Sequence, residues 1–204
     1  MSKLYSISIL AFLWVLWCSL HSLLISRFFT TWMEPVWGRR FPYYRLAFNA
    51  FSLVTLIPVV IYQQQIPAHL LFAWTGLWGM LNYGMYFASF LLFYGGYRAF
   101  DMQYVVGIKQ VREMREGRKD EEMDFSTSGI LEYVRHPWYS GAIVFVWAFG
   151  VISDVSLVTK IILTVYIIIG TFLEERKLIH EIGEPYRAYR KRVPMLIPWK
   201  INLK

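Results

Sequence analysis

The 204-residue sequence has a single cysteine, Cys18, and fewer acidic than basic residues. One cysteine excludes an intrachain disulfide and a metal site built from several cysteines. The chain contains no Gly-x-Gly loop of the kind that soluble nucleotide-binding domains use. The basic residues give a formal net charge of +7, yet they flank apolar runs and form no continuous stripe. The sequence therefore does not indicate nucleic-acid binding.

Formal charge is also missing from two long stretches, residues 4–26 and residues 46–97. The first is long enough for one membrane-spanning helix, and the second for two, which we place near 45–62 and 69–94. A composition of 56% hydrophobic and 19% aromatic residues is typical of a membrane protein. The first run is too long for a signal-peptide core and lacks an Ala-x-Ala pattern, so we expect it to be retained.

Two further apolar segments, 138–152 and 155–172, predict a helical hairpin that turns at Ser153 and Asp154. We expect its second helix to continue to about Ile182 and to stop at Gly183. The sequence thus predicts an all-α integral membrane protein with about five transmembrane helices.

We expect a single domain over residues 1–204. It comprises three N-terminal spans in 1–97, a charged segment in 98–128 for which the charge distribution described next predicts a cytoplasmic position, and a hairpin and tail in 129–204, for which the motifs described below predict cofactor binding. Within the middle segment, one amphipathic helix on the membrane surface is predicted by apolar residues at helical spacing, with Gly117 as its end. These residues are Val105, Ile108, Val111 and Met114.

Lys and Arg concentrate in the loop 27–45, in the segment 98–128 and in the tail, whereas the turns near Gln63 and Asp154 have almost none. The positive-inside tendency then places the N-terminus outside and the C-terminus in the cytoplasm. We expect this arrangement in the inner membrane of a prokaryote.

Residues 135–139, Arg-His-Pro-Trp-Tyr, join the charged segment to the hairpin. Pro137 fixes its own φ and disfavours the α region for His136, which predicts a helix starting at Pro137 or Trp138. An arginine beside a membrane is most often a topology anchor. However, Glu174 and Glu175 follow the last span on the same face, and such a pair needs a cation or donors. We therefore expect Arg135 to meet one of these carboxylates.

The run 135–139 resembles the Arg-His-Pro-x-Tyr motif of the isoprenylcysteine carboxyl methyltransferase and phospholipid methyltransferase superfamily. The residues Glu174, Glu175, Leu178, Gly183, Tyr186 and Tyr189 are similar to its Glu-Glu-x-x-Leu…Gly-x-x-Tyr-x-x-Tyr element. The ending 192–198 resembles a bacterial subgroup, the methanethiol S-methyltransferases. Leu131 and Ile182 depart from the superfamily pattern, which bears on the acceptor more than on the cofactor.

The resemblance implies S-adenosylmethionine (SAM) bound in a pocket at the cytoplasmic mouth of the last two helices, and no metal. Arg135 would clamp the SAM carboxylate, and Glu174 or Glu175 would accept from its ammonium or ribose. Tyr139 and Tyr186 would hydrogen-bond or face the cation. His136 would orient the cofactor and is a candidate general base for a thiol.

The methyl acceptor is expected to be small or lipophilic, with a thiol favoured and membrane lipid as its surroundings. His21 in the first span, and Tyr83 and Tyr94 in a stripe on the third, are candidate acceptor contacts, although helix packing explains them as well. Alternatives are an isoprenylcysteine carboxyl or phospholipid methyltransferase, an NADPH-dependent membrane reductase, or a non-enzymatic membrane protein. Oligomeric state is not indicated.

Overall fold

The computed structural model describes residues 2–117 and 127–198. The charged run at 118–126, within the predicted segment 98–128, and the end of the tail at 199–204 lie outside the described residues. In chain order, the α-helices and β-strands are α1 (Lys3–Ile25), α2 (Arg27–Trp37), α3 (Tyr44–Gln65), β1 (Leu70–Phe72), α4 (Leu77–Ala99), α5 (Met102–Val106), α6 (Ile108–Glu116), α7 (Pro137–Ala148), β2 (Ile152–Ser153), α8 (Asp154–Ile182) and α9 (Glu184–Arg192). Short 3₁₀ helices cover Gly38–Tyr43 and Gly129–Glu132.

Three helical segments are long and apolar enough to cross a membrane: Lys3–Ile25, Arg27–Gln65 and Asp154–Ile182. With the helical content of the rest of the described chain, they confirm an all-α integral membrane protein. Strands β1 and β2 form a small antiparallel pair, with Leu70 opposite Ser153, that the sequence did not predict. Residue contacts divide the described chain into two units, residues 2–69 with 101–117 and residues 70–100 with 127–198.

In the first unit, α1 packs along α3. The indole Nε1 of Trp14 donates to the side chain of Gln63 at 3.1 Å, and the Tyr44 hydroxyl donates to the carbonyl of Leu24 at 2.6 Å. Asn49 on α3 donates to the carbonyl of Val106 at 2.9 Å, which holds α5 against α3. Hydrogen bonds at the two ends of α3 therefore fix both of its neighbours.

The prediction of one continuous amphipathic helix through residues 105–114 is wrong, because Gly107 separates α5 from α6. Gly107 has φ +100°, a left-handed conformation, and its N–H donates to the carbonyls of Gln103 and Tyr104. A Cβ there would lie 3.0 Å from the Cβ of Arg45 and from the backbone N of Leu46, so glycine also permits a close approach to α3. The predicted end at Gly117 is confirmed, since it closes α6 with φ +65°.

In the second unit, α4 packs closely on α7. Ser89 donates to the carbonyl of Gly141 at 2.9 Å, and the indole of Trp138 lies against Gly96, where a Cβ would clash at 2.3 Å. Glycine and serine thus let the two helices approach each other.

The predicted hairpin is confirmed in where its two helices begin and where the second one stops, whereas the first helix ends at Ala148, before the predicted Ile152. Helix α7 begins at Pro137, with His136 as its N-cap, and α8 runs unbroken to Ile182, where Gly183 ends it with φ +75°. The α8 start is a capping box, in which the side chains of Ser153 and Ser156 bond each other's backbone N–H. These boundaries bring residues 135–136 and 174–175 to the same end of the helix pair.

Candidate active site

The backbone before α7 is bound to the tail of the chain. The N–H of Arg135 donates to the carbonyl of Pro194 at 3.0 Å, and the N–H of His136 donates to that of Met195 at 3.2 Å. The Ser140 hydroxyl adds a bond to the carbonyl of Leu196 at 2.6 Å. The tail is therefore part of the site, a role that its two prolines alone did not reveal.

Arg135 and Glu175 form a buried bidentate ion pair, as the sequence predicted for one of the two glutamates. Nε and Nη2 of Arg135 each lie 2.9 Å from one oxygen of Glu175. The Nη1 group donates to the carbonyls of Arg190 and Val193. Both charged residues are less than 10% exposed. Every nitrogen of the guanidinium thus has a protein acceptor, whereas the sequence predicted that it clamps a cofactor carboxylate.

His136 donates to the same carboxylate. Its Nε2 lies 2.8 Å from Oε1 of Glu175, and because a carboxylate only accepts, that nitrogen carries the proton. In the neutral ring, Nδ1 then holds the lone pair, and it lies 3.8 Å from Oε2 of Glu174. The ring of Tyr139 stacks on the imidazole at 5.6 Å between centroids. The contacts therefore fix both the tautomer and the orientation of His136.

Two further residues, Tyr186 and Arg190, complete the surroundings of Glu175. The Tyr186 hydroxyl donates to its Oε1 at 2.6 Å, and Nε of Arg190 lies 3.0 Å from its Oε2. Arg190 was not predicted as a site residue. We call Arg135, His136, Glu175, Tyr186 and Arg190 the Glu175 cluster. It joins the two residues before α7 to α8 and α9 around one carboxylate.

Two tyrosines of α9 are buried, Tyr186 within this cluster and Tyr189 on the same helix. Burial raises the pKa of Tyr186 well above its usual range, and the hydrogen bond to Glu175 raises it further. Burial also raises the pKa of Tyr189 to about 12, although the charge of Arg135 opposes the shift. The Tyr189 hydroxyl donates to the carbonyl of Leu131 at 2.6 Å. Both phenols are therefore neutral donors at ordinary pH.

Glu174 differs from its neighbour, because its Oε2 is buried and has no hydrogen-bond partner among the described residues. The Tyr139 hydroxyl interacts with the same carboxylate. The side chain as a whole is 39% exposed. A buried acceptor without a donor is costly unless a ligand supplies one. The described residues include no group of His, Cys, Asp and Glu that could hold a metal ion.

The predicted acceptor contacts are not part of the Glu175 cluster. Tyr83 and Tyr94 lie on α4 with side chains 76% and 51% exposed. His21 belongs to the first unit, where its ring lies 5.2 Å from that of Trp17 and 5.0 Å from that of Phe48.

His21 also lines a cavity of about 230 Å³ between α1 and α3, with walls that are otherwise mostly apolar. Ser52 lines the same cavity, and its buried hydroxyl has no hydrogen-bond partner among the described residues. The apolar surroundings of His21 on α1 were visible in the sequence, but the cavity and the role of Ser52 were not.

The chain is similar to known proteins over most of its length. The family model described as NnrU protein matches residues 9–197. Methanethiol S-methyltransferase 1 of Bradyrhizobium diazoefficiens is 42% identical over 94 residues, 46% of this chain and 33% of that protein. Methanethiol S-methyltransferase of Pseudomonas deceptionensis is 31% identical over 192 residues, 87% of this chain and 67% of that protein.

A more distant relative, protein-S-isoprenylcysteine O-methyltransferase of Mus musculus, is 35% identical over 96 residues, 44% of this chain and 32% of that protein. The chain thus spans from about a third to two thirds of the length of these relatives. No solved structure gives a significant match. The matches confirm the predicted resemblance to the superfamily and to its methanethiol-methylating subgroup.

Proposed function

Because the chain belongs to the NnrU protein family, we propose that it is an integral membrane methyltransferase that uses SAM. Relatives named methanethiol S-methyltransferase support a small or lipophilic thiol as the acceptor. The observation that carries the proposal is the buried Oε2 of Glu174, which has no hydrogen-bond donor among the described residues, beside a Glu175 whose two oxygens both have donors. An acceptor of this kind suits the ammonium of an amino acid.

The residues of the site fit the cofactor. Glu174 would accept from the SAM ammonium, and Tyr139 and Tyr186 would face it from α7 and α9. Arg135 holds Glu175 and the tail in place, so we propose that it positions these groups and does not itself contact SAM. When bound, SAM supplies a methyl group on a positively charged sulfur.

His136 is the proposed general base for a thiol acceptor. Its Nε2–H is committed to Glu175, so the lone pair on Nδ1 is the position that can take a proton. A thiol must lose its proton, since the thiolate is the nucleophile. Holding the imidazole in one tautomer is thus the contribution that we propose for Glu175 to the chemistry.

For the acceptor side, we propose that the cavity lined by His21 and Ser52 admits a small apolar molecule with one polar group. The unpaired Ser52 hydroxyl supports this, because it would bond such a group. Tyr83 and Tyr94 are exposed on α4, and we propose that they contact acceptor or lipid within the bilayer.

We further propose five spans within a single domain, with the N-terminus outside and the C-terminus in the cytoplasm of a prokaryotic inner membrane. The distribution of Lys and Arg supports this orientation. It assigns the Glu175 cluster to the cytoplasmic face, where SAM is available. Helix α7 has only 12 residues, or about 18 Å at 1.5 Å per residue, so it would cross the bilayer incompletely.

Binding of SAM tests the proposal. Calorimetric titration of SAM, and separately of NADPH, into the detergent-solubilised protein should show binding of SAM alone. Glu174→Gln should weaken SAM binding about 10- to 150-fold, the equivalent of roughly 1.5–3 kcal/mol for a charged hydrogen bond. The melting temperature should change little, since Oε2 of Glu174 has no hydrogen-bond partner among the described residues and glutamine keeps an oxygen that can accept from the Tyr139 hydroxyl. Glu184→Gln, an exposed glutamate on α9, is the matched control.

Binding of NADPH without SAM would identify a reductase instead. Binding of neither would favour a non-enzymatic membrane protein. The isoprenylcysteine relative favours a second acceptor class, the carboxylate of a prenylated cysteine. Activity towards methanethiol and towards a farnesylcysteine analogue, compared in one assay, separates the two.

A further inference from the structure

The Glu175 cluster has more positive than negative charge. Glu175 is bonded by Arg135 and contacted by Arg190, and these two arginines face one carboxylate. The bidentate pair and the carbonyls of Arg190 and Val193 use four of the five N–H groups of Arg135. Among the described residues of the cluster, Arg190 therefore keeps most of the donor capacity for an added anion.

Arg190 is placed differently from Arg135. Its side chain is 49% exposed, and among the contacts of the described residues it reaches Glu175 through Nε, at 3.0 Å. Its two terminal nitrogens, which carry four N–H groups, make no contact among those that the described residues show. A guanidinium held by one nitrogen keeps the fork that pairs with a carboxylate.

A chain of contacts links Glu174, whose Oε2 has no donor among the described residues, to Arg190, which has N–H groups to spare. Oε2 of Glu174 lies 3.8 Å from Nδ1 of His136, His136 bonds Glu175, and Glu175 contacts Arg190. An α-amino acid presents the complementary pair, an ammonium and a carboxylate on one carbon. The carboxylates of Glu174 and Glu175 balance the guanidinium groups of Arg135 and Arg190. A zwitterionic amino-acid group, which has no net charge, keeps this balance.

We propose that Arg190, rather than Arg135, binds the carboxylate of the amino-acid portion of the cofactor, while Glu174 binds its ammonium. This inference rests on the proposed use of SAM and assigns the part of SAM that each residue recognises. Arg135 is then a positioning residue, whose bonds to Glu175, Arg190 and Val193 hold the fork of Arg190 at the edge of the site.

The test separates the carboxylate from the rest of the ligand. SAM and decarboxylated SAM, which lacks only that group, are titrated calorimetrically into the full chain in detergent. Arg190→Gln should weaken SAM binding about 10- to 150-fold, the range for a charged hydrogen bond. Its affinity for decarboxylated SAM should change less than about threefold. Arg190→Lys should recover SAM affinity only partly, because a point charge does not reproduce the fork.

Arg187→Gln is the matched control. Arg187 lies on the same helix, is 60% exposed and pairs with Glu184 at 3.9 Å. The substitution removes one positive charge from α9, as Arg190→Gln does, but outside the Glu175 cluster. It should therefore leave the affinities for both ligands unchanged. A general effect of surface charge would instead appear in Arg187→Gln as well.

The outcomes distinguish this inference from the proposed function. Equal losses for both ligands in Arg190→Gln, or no loss for either, overturn the inference while SAM use stands. Failure of the unmodified protein to bind SAM overturns both. If Arg190→Gln does not fold, Arg190→Lys takes its place, because it keeps a cation beside Glu175. An equal loss of affinity for SAM and for decarboxylated SAM in Arg190→Lys would then overturn the inference.

Discussion

The two ends of the α7–α8 hairpin each bury a cation, and they use it differently. At one end, Arg135 meets the carboxylate of Glu175 and two carbonyls of the tail. At the other, Lys160 is 4% exposed and donates to the carbonyls of Val146, Trp147 and Phe149. These carbonyls belong to the C-terminal end of α7 and the residue after it.

The difference lies in what remains unsatisfied. Lys160 bonds the orphan carbonyls at a helix end, the arrangement that the helix dipole favours for a cation, and that end needs no ligand. At the Arg135 end, a buried oxygen of Glu174 has no donor within the described part of the chain, and Arg190 keeps donor capacity. A buried cation alone therefore does not mark a binding site, whereas unfilled acceptors and donors beside it do.

Removing the carboxylate of Glu175 should have the largest effect. Glu175→Gln leaves Arg135 buried without its counter-ion, which typically costs about 3–5 kcal/mol of unfolding free energy. The melting temperature in detergent should fall by roughly 2–4 °C for each kcal/mol. The exposed Glu184→Gln serves as control. A melting temperature equal to that of the unmodified protein would contradict the view that Glu175 organises this end.

Lys160→Met should have a smaller effect, and one confined to stability. The three carbonyls lose their donor inside the protein, and an unsatisfied buried group costs about 1–3 kcal/mol. Thermal melting measures the loss, and calorimetry should show unchanged affinity for SAM. Lys177→Met, an exposed lysine on the same helix, is the control. Loss of SAM affinity without loss of stability would mean that the two ends are not functionally distinct.

Alkaline pH should give the smallest effect and a finer comparison within the Glu175 cluster. The pKa values of Tyr186 and Tyr189 are raised in the folded protein above the usual value near 10. The neutral phenols therefore contribute stability that is complete below pH about 10. For Tyr189 it is lost as pH rises through about 12.

Absorbance of phenolate near 295 nm measures this titration. Tyr186→Phe should remove a group that ionises at higher pH than the group that Tyr189→Phe removes. The reason is that the Tyr186 hydroxyl bonds a carboxylate, whereas the Tyr189 hydroxyl bonds a backbone carbonyl. Ionisation of both at the pH of exposed tyrosines, in the folded protein, would show that neither hydroxyl is held as described.

Sequence patterns predicted the parts of the site that local chemistry determines. Pro137 starts α7 because a proline fits the first helical position, and Gly183 ends α8 because it adopts a positive φ. The pairing of Arg135 with a glutamate of 174–175 followed from the need to neutralise carboxylates near a membrane. The choice between Glu174 and Glu175, which are adjacent in sequence, did not follow from any pattern.

Other features had no local signal. The pairing of β1 with β2 joins segments about eighty residues apart. Arg190 looked like one basic residue among several in a charged tail, and only the folding of α9 against α8 places it beside Glu175.

The sequence by itself determined the membrane class, the helix ends around the hairpin and the resemblance to a methyltransferase superfamily, because charge-free runs, Pro and Gly act locally. The tertiary structure decided which charges remain available. It commits Arg135 to Glu175 and to carbonyls of α9 and the tail, and it offers Oε2 of Glu174 no donor from residues 2–117 and 127–198. The reason is physical: hydrogen-bond saturation depends on groups brought together from α7, α8, α9 and the tail, and no single segment contains them.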